Sequence, residues 1–236
     1  HMDRRQFVKN LGLGTASLSM GSLVTASSCA PSGDSSLKQN VKEGEDGQFL
    51  FIGDDIAIAQ TEYGKVQGYL LNHVYTFLGV PYGADTSGKN RFMPPQKPEP
   101  WTDVRPAVFY GNTAPQRMEN RWPNNYGTFA DHWNYWDVSE DCLYLNVWTP
   151  GIADGKKRPV LVWLHGGGFT NGSGIEQDGY HGENISREGN IVFCSINHRL
   201  GPIGFSDLSG VGGEAYKDSG NVGMLDIIAA LRWVHD

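Results

Sequence analysis

The stretch LVWLHGGGF, residues 161–169, limits what this chain can fold into more than any other feature of the sequence. Its apolar run is typical of a buried strand, and the run ends at a histidine followed by three glycines. Glycine has no Cβ, so a ligand oxygen can approach the backbone closely at this point. We expect a strand that presents main-chain amides to a ligand, with a plain glycine-rich turn as the alternative. A phosphate-binding loop is disfavoured because no GxxxxGK[ST] pattern follows.

Three short apolar runs predict an α/β fold. They are CLYLNVW (142–148), PVLVWLH (159–165) and IVFCSIN (191–197), and their near-continuous hydrophobicity favours strands covered on both faces, as in a parallel sheet flanked by helices. Residues 48–83 instead have short β-rich runs broken by Gly and Asn, which predicts an antiparallel meander. The order of meander, strand, helix and strand indicates the α/β class.

The last segment, residues 224–236, predicts an amphipathic helix. Apolar residues recur there at helical spacing, which places Asp226 off the apolar stripe together with Arg232 and Asp236. The stripe consists of Met224, Ile227, Ile228, Leu231 and Val234.

Residues 1–30 predict an export segment. An Arg4-Arg5 pair resembles a twin-arginine signal, and residues 11–24 form a mildly apolar core of signal-peptide length. The ASSC sequence that follows resembles a degenerate lipoprotein cleavage box, with Cys29 as the lipidated residue and a possible membrane anchor. We expect an exported protein, periplasmic or lipid-anchored to the inner or outer membrane of a bacterium. The alternative is a plain tail with a chance arginine pair.

Composition and charge narrow the remaining possibilities. Residues 31–48 are polar and predict a flexible tether, which leaves residues 49–236 as the globular part. The formal net charge is −7, so no nucleic-acid-binding surface is indicated. No stretch reaches the roughly 18 apolar residues that a membrane-spanning helix requires.

Five motifs around the glycines resemble those of the type-B carboxylesterase family, which includes bacterial p-nitrobenzyl esterases and cholinesterases. The resemblance runs in order and spacing from about residue 58 to residue 236, and it implies the N-terminal half of an α/β-hydrolase fold. The motifs are YTFLGVPYG (75–83), RFMPPQKPEPW (91–101), SEDCLYLNVWTP (139–150), SINHRLGPIGF (195–205) and GNVGMLDIIAALRWVHD (220–236).

This resemblance implies hydrolysis of small-molecule carboxylic esters through an acyl-serine intermediate, with no metal or organic cofactor. It assigns the amides of Gly167 and Gly168 to the oxyanion hole, with a third donor from the residue after the nucleophile. The nucleophile itself is expected in a G-x-S-x-G elbow, and no serine of this chain has Gly at both −2 and +2. The serine, the acid and the catalytic histidine are therefore expected in a C-terminal half that follows Asp236, and that half is required for activity.

The resemblance also predicts two structural ion pairs. Glu140 is expected to form a buried salt bridge with Arg91, and Arg199 is expected to pair with an acid, for which Asp226 is the candidate. A buried ion pair is poor evidence of catalysis.

Two histidines and one of the cysteines, Cys194, are expected to have no catalytic role. The family places its catalytic histidine later in the chain than His165 or His198. The family often pairs the cysteine of EDCL with one near CPQ, but this chain has Ala114-Pro115-Gln116, so Cys142 lacks that partner. Cys194 lies within an apolar strand, which favours a small buried side chain.

Two questions stay open from the sequence. The aromatic stretch at 121–136 falls where the family builds the wall of its active-site gorge, but it could also be a packed surface loop. The protein could also be a catalytically inactive, cholinesterase-like adhesion domain. The intact HGGG favours the enzyme, because such glycines have little use without an oxyanion.

Overall fold

The structure is a computed structural model that describes residues 49–117 and 136–236. These residues belong to one compact unit, Lys42–Asp236. The predicted export segment 1–30, the predicted tether 31–48 and all of the aromatic stretch except Trp136 lie outside the described residues.

Nine strands and four α-helices form in the described part of the chain. The strands are β1 (Leu50–Phe51), β2 (Ile58–Gln60), β3 (Lys65–Gln67), β4 (Tyr69–Leu71), β5 (Val74–Pro81), β6 (Arg105–Pro106), β7 (Tyr144–Thr149), β8 (Val160–Leu164) and β9 (Val192–Ile196). The helices are α1 (Glu183–Gly189), α2 (Gly201–Phe205), α3 (Ser209–Gly212) and α4 (Val222–His235). Short 3-10 helices cover Gly88–Asn90, Asp178–Tyr180, Glu214–Tyr216 and Ser219–Asn221.

The main sheet has six strands in the order β1-β4-β5-β7-β9-β8. A second sheet pairs β2, β3 and β6. Strands β1, β4 and β5 are joined by antiparallel pairing, which confirms the predicted meander. Strand β8 occupies one edge of the main sheet and pairs with β9 from Val160↔Val192 to Leu164↔Ile196.

The α/β class is confirmed, but the pairing of the three apolar runs differs from the prediction in one respect. Strands β8 and β9 are parallel, as expected. Strand β7 is antiparallel to β9, with Leu145 opposite Ile196, and it is also antiparallel to β5. The described part of the sheet is therefore mixed. A continuous apolar run indicates that both faces of a strand are covered, which is typical of parallel strands but also fits an antiparallel strand inside a covered sheet.

Helix α4 forms as predicted, but only part of the predicted stripe faces the core: Ile227 is buried, and Met224 and Val234 pack against the core while partly exposed. Asp226 is fully buried with Ile227 and Ala230, whereas Ile228 and Leu231 are exposed. The prediction that Asp226 lies off the buried stripe was therefore wrong. The carboxylate tolerates burial because a guanidinium group meets it there.

That guanidinium group belongs to Arg199, and the predicted Arg199–Asp226 pair is confirmed. Arg199 Nη2 and Nε donate to the two Asp226 carboxylate oxygens at 2.7 and 2.8 Å, and the Arg199 amide adds a third bond at 3.0 Å. The remaining donor, Nη1, reaches the Met93 carbonyl at 2.8 Å. Both side chains are almost fully buried, so the pair holds α4 against the segment after β9.

The predicted Arg91–Glu140 pair also forms, but it is not buried as expected. Two bonds of 2.6 and 2.7 Å join the guanidinium to the carboxylate. The Arg91 side chain is 47% exposed and that of Glu140 is 20% exposed. Solvent therefore screens this pair, and its contribution to stability is small.

Cys142 and Cys194 are buried free thiols in the main hydrophobic core, which confirms the burial predicted for Cys194. Burial raises the pKa of the Cys194 thiol to about 12, and it raises the pKa of the Cys142 thiol well above its usual value. Both groups stay protonated at neutral pH, and a thiol in this state is a poor nucleophile.

Within residues 49–117 and 136–236, no helix is long and apolar enough to cross a membrane.

Candidate functional site

The three glycines after β8 lead into a turn with an unusual backbone. Gly167 and Gly168 have φ values of +116° and +60°, and Phe169 follows at +63°. A Cβ on Gly167 would meet the carbonyl oxygen of Asn171. Gly166, in contrast, has no positive φ, and a Cβ there would meet no atom within 4 Å. The backbone therefore requires glycine at 167 and favours it at 168, but not at 166.

The turn fixes the carbonyl of Gly167 and leaves two amides available. That carbonyl accepts hydrogen bonds from the Thr170 amide at 3.1 Å, the Thr170 hydroxyl at 2.9 Å and the Asn171 amide at 3.3 Å. Neither Gly167 N–H nor Gly168 N–H donates to an acceptor in the described part of the chain, and both residues are exposed. These are the two predicted oxyanion donors, and they could bind an external anionic oxygen.

Two histidines lie next to the turn and stack on each other. The rings of His165 and His198 are 4.9 Å apart and nearly parallel, at 9°. His165 Nδ1 lies 2.8 Å from the Gly166 carbonyl oxygen, and His198 Nδ1 lies 2.9 Å from that of Arg199. A carbonyl can only accept, so each Nδ1 carries the proton. Burial lowers the pKa of His198, which therefore stays neutral at pH 7.

A buried polar network closes the far end of the turn. Ser173 Oγ bonds Thr113 Oγ1 at 3.1 Å and Asn197 Oδ1 at 3.3 Å. The Asn197 Oδ1 also accepts from the Gly174 amide at 2.8 Å, and its Nδ2 donates to the Asn112 carbonyl at 3.0 Å. Because this hydroxyl is fully buried and hydrogen-bonded, Ser173 has a structural role.

Sequence reasoning missed one residue of the site, Gln116. Its Oε1 accepts from the Gly172 amide at 2.7 Å, and its Nε2 donates to the Gly172 carbonyl at 2.8 Å and to the Ala114 carbonyl at 3.1 Å. The sequence of residues 114–116 indicated only that the cysteine often found in the family is replaced by Ala114. A contact between residues 56 apart has no signature in a single sequence.

A cavity of about 650 Å³ lies beside the turn. Thr170 and Asn171 line it from the turn, and Leu200, Pro202 and Ile203 give it an apolar wall. A cleft of this size is within the range that accommodates small organic ligands. Among the described residues, no cluster of side chains suited to a metal ion is present.

The other serines considered from the sequence do not join this site. Ser219 Oγ is buried and accepts the Leu208 amide at 2.7 Å, and Ser206 ends helix α2. The structure thus brings together Gly167, Gly168 and the histidine pair. Ser173 belongs to the buried hydrogen-bond network at the end of the turn.

Residues 55–236 match the carboxylesterase family. The chain is similar to the para-nitrobenzyl esterase of Bacillus subtilis, with 41% identity over 76% of this chain and 34% of that protein. It is 39% identical to the acetylcholinesterase of Electrophorus electricus over 80% of this chain and 31% of that protein.

A solved structure shows the same relationship. An esterase from Clostridium hathewayi, described as hydrolysing aliphatic aromatic polyesters, superposes with a TM-score of 0.72 at 39% identity. The match covers 80% of this chain and 36% of that one. The chain therefore spans about a third of the length of these relatives.

Proposed function

Because the chain belongs to the carboxylesterase family, we propose that the protein it comes from hydrolyses carboxylic esters through an acyl-serine intermediate. The main support is the pair of exposed amides at Gly167 and Gly168, which have no acceptor among the described residues. Their positive φ values prevent most other residues from replacing them without strain. In this proposal, the segment after β8 supplies the oxyanion hole.

The chemistry assigns a defined task to these amides. A serine oxygen attacks the ester carbonyl carbon, a base takes the serine proton, and the carbonyl π electrons move to the carbonyl oxygen. The two N–H groups donate to the oxygen as it becomes negative, and two fixed donors stabilise it more than they stabilise the neutral carbonyl. The carbon–oxygen bond to the alcohol then breaks, the alcohol leaves with the proton, and water later releases the acid.

We place the nucleophilic serine, its histidine and the orienting acid in the C-terminal part of the protein, beyond Asp236. In the described part, Ser173 and Ser219 are buried with their hydroxyls engaged by other groups. His165 and His198 direct Nδ1 to main-chain carbonyls, an arrangement that supports the turn. The 650 Å³ cavity beside the turn is our candidate for part of the ester-binding cleft.

A fluorophosphonate probe tests this function directly. We expect the full-length protein to hydrolyse p-nitrophenyl esters, and a fluorophosphonate to abolish this activity by labelling one serine, because the probe forms a tetrahedral adduct on an activated hydroxyl. Labelling is measured by intact-mass spectrometry. An inactive adhesion domain would give neither hydrolysis nor labelling, and that result would favour the alternative.

We also propose that the protein is exported by the twin-arginine route. Replacing Arg4 and Arg5 together by lysine should retain the precursor in the cytoplasm, because the export receptor reads the arginine pair and not its charge. Cell fractionation measures this, with the reverse exchange, Lys38→Arg and Lys42→Arg, as the control. Unchanged export of the variant that carries Arg4→Lys and Arg5→Lys would rule out this route. Mass spectrometry of the mature N-terminus tests lipidation of Cys29.

A further inference from the structure

The side-chain amide of Gln116 forms a matched pair of hydrogen bonds with a buried stretch of main chain. Its oxygen accepts the Gly172 amide at 2.7 Å and its nitrogen donates to the Gly172 carbonyl at 2.8 Å. Gly172 is buried, so both of its main-chain groups need a protein partner. Only an amide side chain supplies one acceptor and one donor at this spacing at neutral pH.

Gly172 in turn lies against the strand end that carries the candidate oxyanion donors. Its φ is +117°, and a Cβ on it would meet the Gly166 carbonyl oxygen and the His165 ring. Residues 167–171 between them are closed into one turn by the three hydrogen bonds to the Gly167 carbonyl. A shift of Gly172 would therefore move the turn in which Gly167 and Gly168 sit.

We infer that Gln116 is a positioning residue for the oxyanion hole. By holding Gly172, it fixes the direction of the Gly167 and Gly168 amides, although it does not touch the oxyanion itself. The inference rests on the proposed function of these two amides. It assigns a role in the reaction to Gln116, which precedes the glycines by more than 50 residues in the sequence.

Replacement of Gln116 should act on the transition state more than on the bound ester. In the full-length protein, we expect Gln116→Glu and Gln116→Met each to lower kcat on a p-nitrophenyl ester about 10- to 100-fold. Because Gln116 also lines the 650 Å³ cavity, kcat and not KM carries the test. Gln116→Met removes both hydrogen bonds at similar side-chain volume. Gln116→Glu keeps the acceptor but directs a charged oxygen at the Gly172 carbonyl.

The pH dependence of Gln116→Glu separates positioning from simple loss of stability. A deprotonated carboxylate cannot donate to the Gly172 carbonyl, whereas a protonated carboxyl group restores one donor and one acceptor. The ratio of variant to parent kcat should therefore rise as the pH falls from about 8 to about 5.5, because the carbonyl oxygen favours the protonated form. The same ratio for Gln116→Met should stay flat. Taking the ratio cancels the titration of the catalytic base.

An inhibitor that forms a tetrahedral oxyanion gives a second measurement. The inhibition constant of an aryl trifluoromethyl ketone should rise in proportion to the fall in kcat/KM across the Gln116 variants. The matched control is Gln96→Glu, since the Gln96 amide is exposed and, in the described part of the chain, donates to the nearby Pro94 carbonyl at 3.1 Å. Active sites are counted by fluorophosphonate titration, so loss of folded protein does not lower kcat.

Either an unchanged kcat in both Gln116 variants or a pH-independent ratio for Gln116→Glu would overturn the inference. If Gly167→Ala and Gly168→Ala still lost activity in that case, the proposed function would stand without it. If the full-length protein showed no esterase activity at all, the proposed function would fail first and the inference with it.

Discussion

Gly167→Ala and Gly168→Ala in the full-length protein should each lower kcat on a p-nitrophenyl ester by about two orders of magnitude, as loss of one oxyanion donor does. The structure gives the two changes different causes. A Cβ on Gly167 would meet the Asn171 carbonyl oxygen at φ +116°, so the turn must deform and the amide must tilt. A Cβ on Gly168 meets no protein atom within 4 Å at φ +60°, so its effect is expected to come from crowding of the bound oxyanion, with about 1–2 kcal/mol of backbone strain in addition.

Gly166→Ala is the matched control for this experiment. Gly166 has no positive φ, and no atom lies within 4 Å of its added Cβ, so kcat should stay within about threefold of the parent. Thermal unfolding should show a larger loss of stability for Gly167→Ala than for Gly168→Ala. Activity within twofold of the parent for both Gly167→Ala and Gly168→Ala would remove the oxyanion assignment.

Much of the fold follows from short-range patterns in the sequence. The three apolar runs became β7, β8 and β9 to within about two residues at each end, because burial within a sheet selects continuous apolar segments. The direction of β7 did not follow, since it depends on which neighbours the chain reaches in three dimensions. Asp226 was placed on the wrong face of α4 for a related reason. A carboxylate is expected to be exposed to solvent unless it is known to have a buried partner, and here that partner is Arg199.

The candidate site divides in the same way. Gly167 and Gly168 could be predicted because glycine marks the backbone geometry that the motif requires, and both have positive φ. The residues that hold this turn in place could not be predicted. Gln116 bonds to Gly172, which is 56 positions later, and the Asn197 network joins three separate segments. Polar side chains that satisfy buried main chain carry no periodicity, and they become visible only when hydrogen-bond partners are assigned.

Strand β8 presents an apolar edge that should make the 236-residue chain poorly soluble when it is expressed alone. Among residues 49–117 and 136–236, its one partner strand is β9. Val160 and Leu164 are each 47% exposed and Trp163 is 36% exposed, and the strand contains no charged residue. An uncharged edge of this kind is a template for association with other chains. In the proposed full-length enzyme, a strand beyond Asp236 covers it.

The same chain should have no esterase activity by itself, because an oxyanion hole stabilises charge but cannot attack a carbonyl. The test is to express residues 1–236 alone and then together with the rest of the protein as a second polypeptide, which should restore solubility and fluorophosphonate labelling. The edge variant Val160→Lys should reduce aggregation of the isolated chain without creating activity, since a charge at an edge opposes pairing. Serine-dependent activity of the purified 236-residue chain would refute the placement of the nucleophile. A soluble, monomeric and cooperatively unfolding chain without activity would refute only the argument from the β8 edge.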